Sequence, residues 1–284
     1  MAASSMKDIK LRIHSVESTM QITKAMELVA SSKLRRAKEK AEQSRPYFDA
    51  LHATLTDIAY GNTEFESPYV AKRQVKCACF VIIAGDRGLA GGYNSNLFKA
   101  FAAKSTEMPK VCALPIGKKA AEYCRRNNIS TVSDAYGVAE TVSLGDCFSI
   151  ASMLSGKFCE GEFDELHVCY TNFVSMLSQE PAVLKLLPLN YEAHGESRQA
   201  TNQLVLYEPS CTEVYDAIVP EYVGGLVYGA LRESIASELG ARRTAMDAAS
   251  KNASEMIEEL SLRYNRARQG AITQEITEIV AGAS

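Results

Sequence analysis

The strongest candidate for ligand chemistry in the sequence is the glycine-rich stretch from Gly85 to Asn94. It follows an apolar run and precedes a helical pattern, which is where a phosphate-binding turn would stand. Its glycine spacing fits neither the dinucleotide fingerprint nor the P-loop, since the P-loop needs a lysine and a hydroxyl after its last glycine. Gly117 precedes two lysines, but no glycine lies five residues before it. We therefore interpret both places as structural turns, and we predict no cofactor site.

Thiols and imidazoles are the next groups that could bind a metal or act as nucleophiles. Of the eight cysteines, Cys77 and Cys79 form a C-x-C pair, but neither a second pair nor a histidine stands at zinc spacing. A disulfide framework is unusual in a chain with a normal apolar content. The pattern therefore predicts free, buried thiols and histidines without a catalytic role. The histidines are His14, His52, His167 and His194.

Basic residues are concentrated near the N-terminus, where residues 1–45 carry ten Lys or Arg against five Asp or Glu. A basic helix is typical of proteins that meet nucleic acid, a membrane surface or an acidic protein. No aromatic residue precedes Tyr47, which argues against stacking on bases. No apolar run approaches the roughly 20 residues of a membrane span, so we expect no membrane insertion. An acidic protein partner is the favoured reading, with a solvated helix face as the alternative. The densest cluster is Lys33, Arg35, Arg36, Lys38 and Lys40.

Apolar residues recur at heptad spacing from Ile9 to Ile58. This period predicts a helix whose apolar seam packs on another helix. Thr23 and Glu27 interrupt the seam, and a second apolar stripe runs beside them from Ile22 to Val29. Around these residues, one apolar face must therefore meet something other than the seam partner.

A second long helical pattern runs from Pro220 to Ala281. Its predicted seam leads from Ile235 to Ala267 and includes Met256, Arg242 and Arg263. A charge in a seam is costly unless it is paired or turned outward. Since the two patterns flank a central region, the helices must run antiparallel to pack on each other.

The central region alternates between strand-like and helical patterns, which favours an α/β domain with a largely parallel sheet. We predict a fold of class α/β plus coiled coil, in which residues 1–60 and 210–284 form a long antiparallel two-helix coiled coil. Residues 75–205 form an inserted Rossmann-like α/β domain. The predicted strands are Cys77–Ala84, Val111–Ile116, Glu165–Thr171 and Ala182–Leu189, and the predicted helices are Asn94–Ser105, Lys118–Asn127 and Leu144–Glu160.

Several segments resemble the gamma subunit of F-type ATP synthases. Met6–Lys40 is similar to the N-terminal helix of that family, and Asp86–Asn96, which reads DRGLAGGYNSN, is similar to its central turn. Ser237–Ile257 and Tyr264–Ala281 resemble its C-terminal signature. The resemblance covers nearly the whole chain.

The resemblance implies a non-catalytic central stalk, or rotor shaft. Its partners would be the alpha/beta hexamer, the epsilon subunit and the c-ring, on the cytoplasmic face of a bacterial plasma membrane. By position, Arg268, Gln269 and Thr273 match contacts to a beta-subunit loop at the tip of the shaft. Contacts with the beta subunit farther along the shaft are implied for Met26, Arg242, Lys24, Arg35 and Arg36. Contacts with the c-ring and epsilon are implied for Tyr207 and Glu208.

Two other functions fit the same patterns. One is an α/β enzyme with a coiled-coil oligomerisation arm, which would need a polar constellation in the central domain. The other is a coiled-coil scaffold of a different complex. Nucleotide binding by the central domain would favour the enzyme, and native partners other than ATPase subunits would favour the scaffold.

Overall fold

The computed structural model describes residues 6–61, 66–71, 73–189 and 207–282. His194 lies outside these residues, and the side chains of Lys38 and Lys40 are not described. A long helix opens the described chain, α1 (Met6–Gly61), and another closes it, α5 (Cys211–Gly282). Between them lies a mixed sheet with its own helices.

The C-terminal helix begins nine residues earlier than the proline that the sequence suggested as its first turn. Pro220 lies inside α5, and Pro46 likewise lies inside the continuous α1. The hydroxyl oxygen of Ser210 accepts a hydrogen bond from the backbone N–H of Glu213 at 3.2 Å. A serine in this position caps the free N–H groups of the first helical turn, which fixes the start of α5 at Cys211.

The chain divides into two compact units. The first, which we call the helical unit, consists of Met1–Ser32 and Arg242–Ser284. Within it, α1 and α5 pack antiparallel, because Thr23 contacts Ser250 whereas the later residue Glu27 contacts the earlier residue Arg243. The predicted α1 seam is confirmed in this unit: Ala30 is buried, and the seam residues are half-buried from Ile9 to Met20.

The predicted seam of α5 is wrong by one residue at two positions, Met256 and Arg263, whereas its other positions are buried or half-buried. Met256 is 43% exposed and the side chain of Arg263 is 65% exposed, so neither lies in the seam. Ile257 and Tyr264, one position later, are half-buried between the buried residues of the packed face. The shift leaves the Arg263 guanidinium in solvent, where it pairs with Glu259 one turn away. Ile257 thus takes the seam position predicted for Met256, and Tyr264 takes the one predicted for Arg263. The guanidinium would have been costly there, because the packed face excludes water.

The second unit, Lys33–Ala241, contains the sheet, and we call it the sheet unit. Its strand order is β3-β2-β1-β4-β5, and every neighbouring pair is parallel except β4 with β5. The predicted α/β domain with a largely parallel sheet is therefore confirmed, and the antiparallel β5 makes the sheet mixed. The sequence missed β3 because it has only two residues, both exposed. The strands are β1 (Ala78–Ile83), β2 (Val111–Ile116), β3 (Ser130–Thr131), β4 (Glu165–Phe173) and β5 (Gln179–Leu187).

Three shorter helices complete the sheet unit: α2 (Tyr93–Ser105), α3 (Lys118–Arg126) and α4 (Leu144–Cys159). The first two bury their apolar faces against the sheet, where the rings of Phe80 on β1 and Phe101 on α2 meet edge to face at 5.3 Å. Burying an aromatic side chain in this way contributes roughly 1.5–3 kcal/mol.

The parts of α1 and α5 that belong to the sheet unit pack closely on each other. Leu55 of α1 and Val223 of α5 are fully buried. Gly225 admits the Phe48 ring, since a β-carbon on this glycine would overlap that ring. Over the described ranges, no helix is both long enough and apolar enough to cross a membrane.

Candidate protein interaction surface

The glycine-rich turn directs its polar groups into the protein. The Gly85 N–H donates to the side-chain oxygen of Asn94 at 3.0 Å. The Asp86 carboxylate accepts from the backbone N–H groups of Lys118, at 3.2 Å, and Ala139, at 3.1 Å. Gly117 has φ +94°, which favours glycine, and a β-carbon there would overlap the Ala84 carbonyl oxygen. These contacts use the polar groups of the turn to join β1, α3 and the following loop.

A partly buried cluster of polar side chains that sequence reasoning missed lies on β4 and β5. His167 Nε2 lies 2.8 Å from Glu165, and the Lys185 ammonium lies 2.6 Å from the other oxygen of that carboxylate. The His167 ring stacks on Phe80 with centroids 4.9 Å apart. Burial lowers the pKa of His167, although the Glu165 charge opposes this shift. Burial raises the pKa of Glu165, but its hydrogen bonds with Lys185 and His167 outweigh burial and lower it overall.

This cluster does not form an open catalytic site, because His167 is only 2% exposed. Its sequence signal was an acid and a histidine two residues apart, which places them on one face of a strand. Among the residues that the structure describes, no group of three or more histidine, cysteine or acidic side chains could hold a metal ion.

The helical unit instead presents an apolar surface to solvent. Ile22 is 61% exposed and Val29 is 56% exposed, so the predicted second stripe on α1 faces away from the seam. Leu11 and Leu28 are also exposed, at 61% and 64%. The sequence analysis missed these two because neither belongs to the predicted stripe, whose members are Ile22, Ala25, Met26 and Val29. Ile22 and Val29 lie two turns apart on one side of α1, and exposed apolar residues that share a side in this way mark interaction surfaces.

Polar side chains interrupt the packing of the helical unit close to this surface. The Thr23 and Ser250 hydroxyls hydrogen-bond at 2.7 Å, and the Arg243 guanidinium lies 3.9 Å from the Glu27 carboxylate. Three of the residues that were predicted to contact a partner lie in the same part of the two helices. Met26 and Arg242 are half-buried, and Lys24 is exposed.

The last part of α5 is exposed throughout. From Arg268 to Gly282 every residue has an exposed side chain or, for glycine, an exposed backbone. The predicted contact residues Arg268, Gln269 and Thr273 begin this stretch, and the Thr273 hydroxyl donates to the Gln269 carbonyl oxygen at 2.9 Å. At 1.5 Å per residue, Arg268 lies about 39 Å along the helix from Arg242. The predicted contacts of the helical unit thus form two separate groups.

An apolar stripe lies on one face of this exposed stretch. Ile272, Ile276 and Ile279 are 47%, 57% and 65% exposed, at the spacing that places them on one side of a helix. The sequence pattern predicted that the apolar period continues through these isoleucines, and in the described part of the chain they are not covered.

The remaining predicted contact residues belong to the sheet unit. Arg35 and Arg36 are exposed on α1, and their neighbour Lys33 pairs with Glu140 at 2.7 Å. Tyr207 is half-buried, and burial together with the Asp57 charge raises the pKa of its hydroxyl. Glu208 is exposed. The contact roles of all ten residues stay predictions.

Comparisons with known proteins agree with the resemblance. A family model described as ATP synthase matches residues 5–284. An ATP synthase gamma chain of Ruminococcus albus is 47% identical over 97% of this chain and 96% of its own length. One from Alkaliphilus metalliredigens is 43% identical over 98% and 97%. The fold is similar to a chain in the rotor of Euglena gracilis mitochondrial ATP synthase, with TM-score 0.62 and 18% identity over 94% of this chain and 98% of that one. The chain therefore belongs to the ATP synthase gamma chain family.

Proposed function

We propose that the chain is the central-stalk rotor subunit of an F-type ATP synthase and catalyses no reaction by itself. Rotation of the c-ring turns this subunit, and the subunit changes the affinity of the nucleotide sites in the surrounding alpha/beta hexamer. The observation that carries the proposal is the exposed stretch Arg268–Gly282, whose apolar stripe and basic start suit a partner that encloses a helix.

The proposed architecture follows from this function. The two long helices form an antiparallel coiled coil, with residues 1–60 and 210–284 as its two strands. Residues 75–205 form a Rossmann-like α/β foot. A stiff two-helix shaft transmits torque, whereas the foot supplies a broad surface for the epsilon subunit and the c-ring. Tyr207 and Glu208 are the residues that we assign to the contact with the epsilon subunit and the c-ring.

The contacts with the beta subunits must differ between rotational states for rotation to change nucleotide affinity. A ligand or partner shifts an equilibrium only by the difference in its interaction free energy with the two states. A helix pair with a basic, partly apolar side meets this condition, because turning it presents different chemistry to each beta subunit. We assign this role to two groups of residues. The tip group is Arg268, Gln269 and Thr273, and the second group is Met26, Arg242, Lys24, Arg35 and Arg36.

This function places the chain on the cytoplasmic face of a bacterial plasma membrane, as a peripheral subunit of the ATP synthase complex. It requires no cofactor of its own and no nucleic-acid contact. The basic residues of α1 then contact an acidic protein surface, which is the partner that the sequence pattern favoured.

Reconstitution of the complete complex, with alpha, beta, epsilon and c subunits and the stationary subunits of the ATP synthase, tests the proposal. We expect the chain to co-purify with them and to restore ATP-driven proton pumping in vesicles. Replacing Arg268 by alanine should reduce coupled pumping, because a charge-assisted hydrogen bond contributes roughly 1.5–3 kcal/mol. Tight nucleotide binding by the chain alone would instead favour an enzyme. Stable recovery with partners that include no ATPase subunit would favour a different scaffold.

A further inference from the structure

Two serines of α5 hydrogen-bond to the backbone of one residue in strand β4. The Ser234 hydroxyl oxygen accepts from the Thr171 N–H at 3.1 Å, and the Ser237 hydroxyl donates to the Thr171 carbonyl oxygen at 3.0 Å. The two serines are 1% and 0% exposed, and their spacing of three residues places them on one face of the helix. A helical serine commonly donates to the carbonyl oxygen one turn earlier, whereas Ser237 donates to the sheet. We call these two hydrogen bonds the serine contact.

The serine contact lies where the pairing of β1 with β4 has ended. That pairing stops at Cys169, two residues before Thr171. On the other side, the register partner of Thr171 is Pro181, which has no N–H to donate. The helix thus gives both backbone groups of Thr171 the kind of bond that a neighbouring strand usually gives. The attachment of α5 to the sheet is therefore directional at this point as well as apolar.

Two glycines bring α5 close to the sheet in the same region. A β-carbon on Gly240 would lie 3.2 Å from the ring of Phe173, the last residue of β4. A β-carbon on Gly85, two residues after β1, would lie 2.8 Å from the Glu238 carboxyl carbon. Glycine permits these approaches because it has no side chain. Residues 234–240, about two helical turns, are thus held against the carboxyl ends of β1 and β4.

We propose, given the proposed rotor function, that Ser234 and Ser237 are positioning residues for torque, through which the sheet and α5 turn as one body. Apolar contacts are non-directional, so they resist the separation of a helix from a sheet more than the rotation of that helix about its own axis. Hydrogen bonds weaken steeply when donor and acceptor are misaligned. Rotating or sliding α5 on the sheet would misalign both bonds at once, because they join one helix face to one residue, Thr171.

The position of the serine contact along α5 suits this role. The sheet unit ends at Ala241, four residues after Ser237, and α5 continues as one helix to Gly282. The continuing part carries Arg242 and the tip group. A rotation of the sheet that α5 follows is therefore carried along one helix to the residues that we assign to the beta subunits.

The first test measures hydrogen exchange of the Thr171 amide in the full-length chain. Ser234→Ala removes its acceptor, so we expect Thr171 to exchange roughly fivefold to tenfold faster relative to Val168, a buried residue of the same strand. Ser155→Ala is the matched control, because Ser155 is 1% exposed on α4 and its hydroxyl oxygen has no hydrogen-bond partner within the described residues. An equal rise at Thr171 and Val168 would mean a general loss of stability and would overturn the proposal.

The second test follows ATP-driven rotation of the chain in a surface-fixed alpha/beta hexamer, with a bead attached through the exposed Cys159 of the sheet unit. We expect the double variant Ser234→Ala with Ser237→Ala to show a wider spread of bead angles within each pause than Ser155→Ala does. In the complete complex, the double variant should pump fewer protons per ATP hydrolysed. A merely stabilising contact would change neither measurement in complexes that assemble.

A double variant that pauses as narrowly and pumps as well as Ser155→Ala would overturn the torque role. Each single variant keeps one of the two bonds, so it provides the same comparison where the double variant folds poorly. If the unsubstituted chain did not rotate in the hexamer, the proposed function and the torque role would both fail. The exchange test uses the chain alone, so it separates that failure from an absent serine contact.

Discussion

Thr23 on α1 and Ser250 on α5 hydrogen-bond to each other across the helical unit, with 2.7 Å between their hydroxyl oxygens. The Thr23 hydroxyl donates to the Met20 carbonyl oxygen at 3.0 Å, so the Ser250 hydroxyl is the donor to Thr23. The polar break that the sequence showed in the α1 seam is thus satisfied within the chain. A buried hydroxyl without a partner would cost roughly 1–3 kcal/mol.

We expect Thr23→Val to lower the free energy of unfolding of the full-length chain by about 1–2 kcal/mol, since it leaves the Ser250 hydroxyl unpaired. The double variant Thr23→Val with Ser250→Ala should lose less than the sum of the single variants. Urea denaturation of the four proteins measures this coupling, which we expect at about 1 kcal/mol.

Thr19→Val is the control for this cycle. Thr19 makes the same kind of bond to a carbonyl one turn earlier, to Ser15 at 3.0 Å, but it is exposed. Its replacement should change the free energy of unfolding by less than about 0.5 kcal/mol. If Thr23 and Ser250 proved additive, their hydrogen bond would not stabilise the helix pair.

The sequence predicted the α1 seam because large and small apolar residues recur there with one clear period. In α5 the same reasoning failed at Met256 and Arg263. Small residues are frequent in this helix. A seam through Met256 and Arg263 therefore looks almost as apolar as one through Ile257 and Tyr264. The cost of enclosing the Arg263 charge decides between them, and a count of apolar residues does not include that cost.

The tight packing at Gly225 predicts opposite effects for two neighbouring glycines of α5. Alanine at Gly225 would overlap the Phe48 ring, whereas nothing lies within 4 Å of a β-carbon at Gly229. Overpacking costs about 1–3 kcal/mol, while glycine to alanine in a helix gains about 0.5–1 kcal/mol. Gly225→Ala should therefore lower the denaturation midpoint, and Gly229→Ala should raise it. Equal shifts in one direction would show that Phe48 moves aside freely.

The buried pair of His167 and Glu165 predicts a loss of stability in acid. The pKa of His167 is lowered from 6.5 by burial, so below about pH 6.5 the unfolded chain binds the proton more readily than the folded chain. The lowered pKa of Glu165 acts in the same direction below 4.5. The charged groups that face His167 are Glu165, Lys185 on β5 and Lys104 on α2.

His167→Gln should flatten the decline of the urea midpoint between pH 7 and pH 5, because the titrating group is removed. His14→Gln is the matched control, since it makes the same substitution at an exposed position of α1. An undiminished decline in His167→Gln would assign the acid sensitivity to other groups.

The ion pair between Glu27 and Arg243 should contribute little to stability. Its atoms are 3.9 Å apart, and the side chains are 23% and 40% exposed, so water screens the attraction. We expect Arg243→Met to change the free energy of unfolding by less than about 1 kcal/mol in either direction. A loss above about 2 kcal/mol would mean that the pair is far better shielded from water than its exposure indicates.

The sequence predicted only part of the candidate site. The stripe at Ile22 and Val29 was predictable because one helix cannot turn two apolar faces toward a single neighbour. The polar cluster at His167 was missed because Lys185 reaches it from another strand. Which of the exposed residues a partner contacts depends on the shape of that partner. The sequence of this chain contains no information about that shape.

The exposed isoleucines of α5 allow the proposed contact with the hexamer to be tested separately from the stability of the chain. In the chain alone, Ile272, Ile276 and Ile279 are about half exposed or more. Replacing all three by serine should therefore change the free energy of unfolding of the chain by less than about 1 kcal/mol. In the reconstituted complex, the same change removes apolar surface that we propose is enclosed by the hexamer. ATP-driven proton pumping should then fall relative to ATP hydrolysis.

The control replaces Gln274 and Glu278 by serine. These residues lie on the opposite side of the same helix and hydrogen-bond to each other at 2.9 Å, so the variant loses a surface contact but keeps the apolar stripe. We expect it to pump normally. Because both variants leave the packed part of the chain intact, a difference between them reports on the partner contact rather than on folding. If the isoleucine variant pumped as well as this control, the apolar stripe would not be the surface that contacts the hexamer.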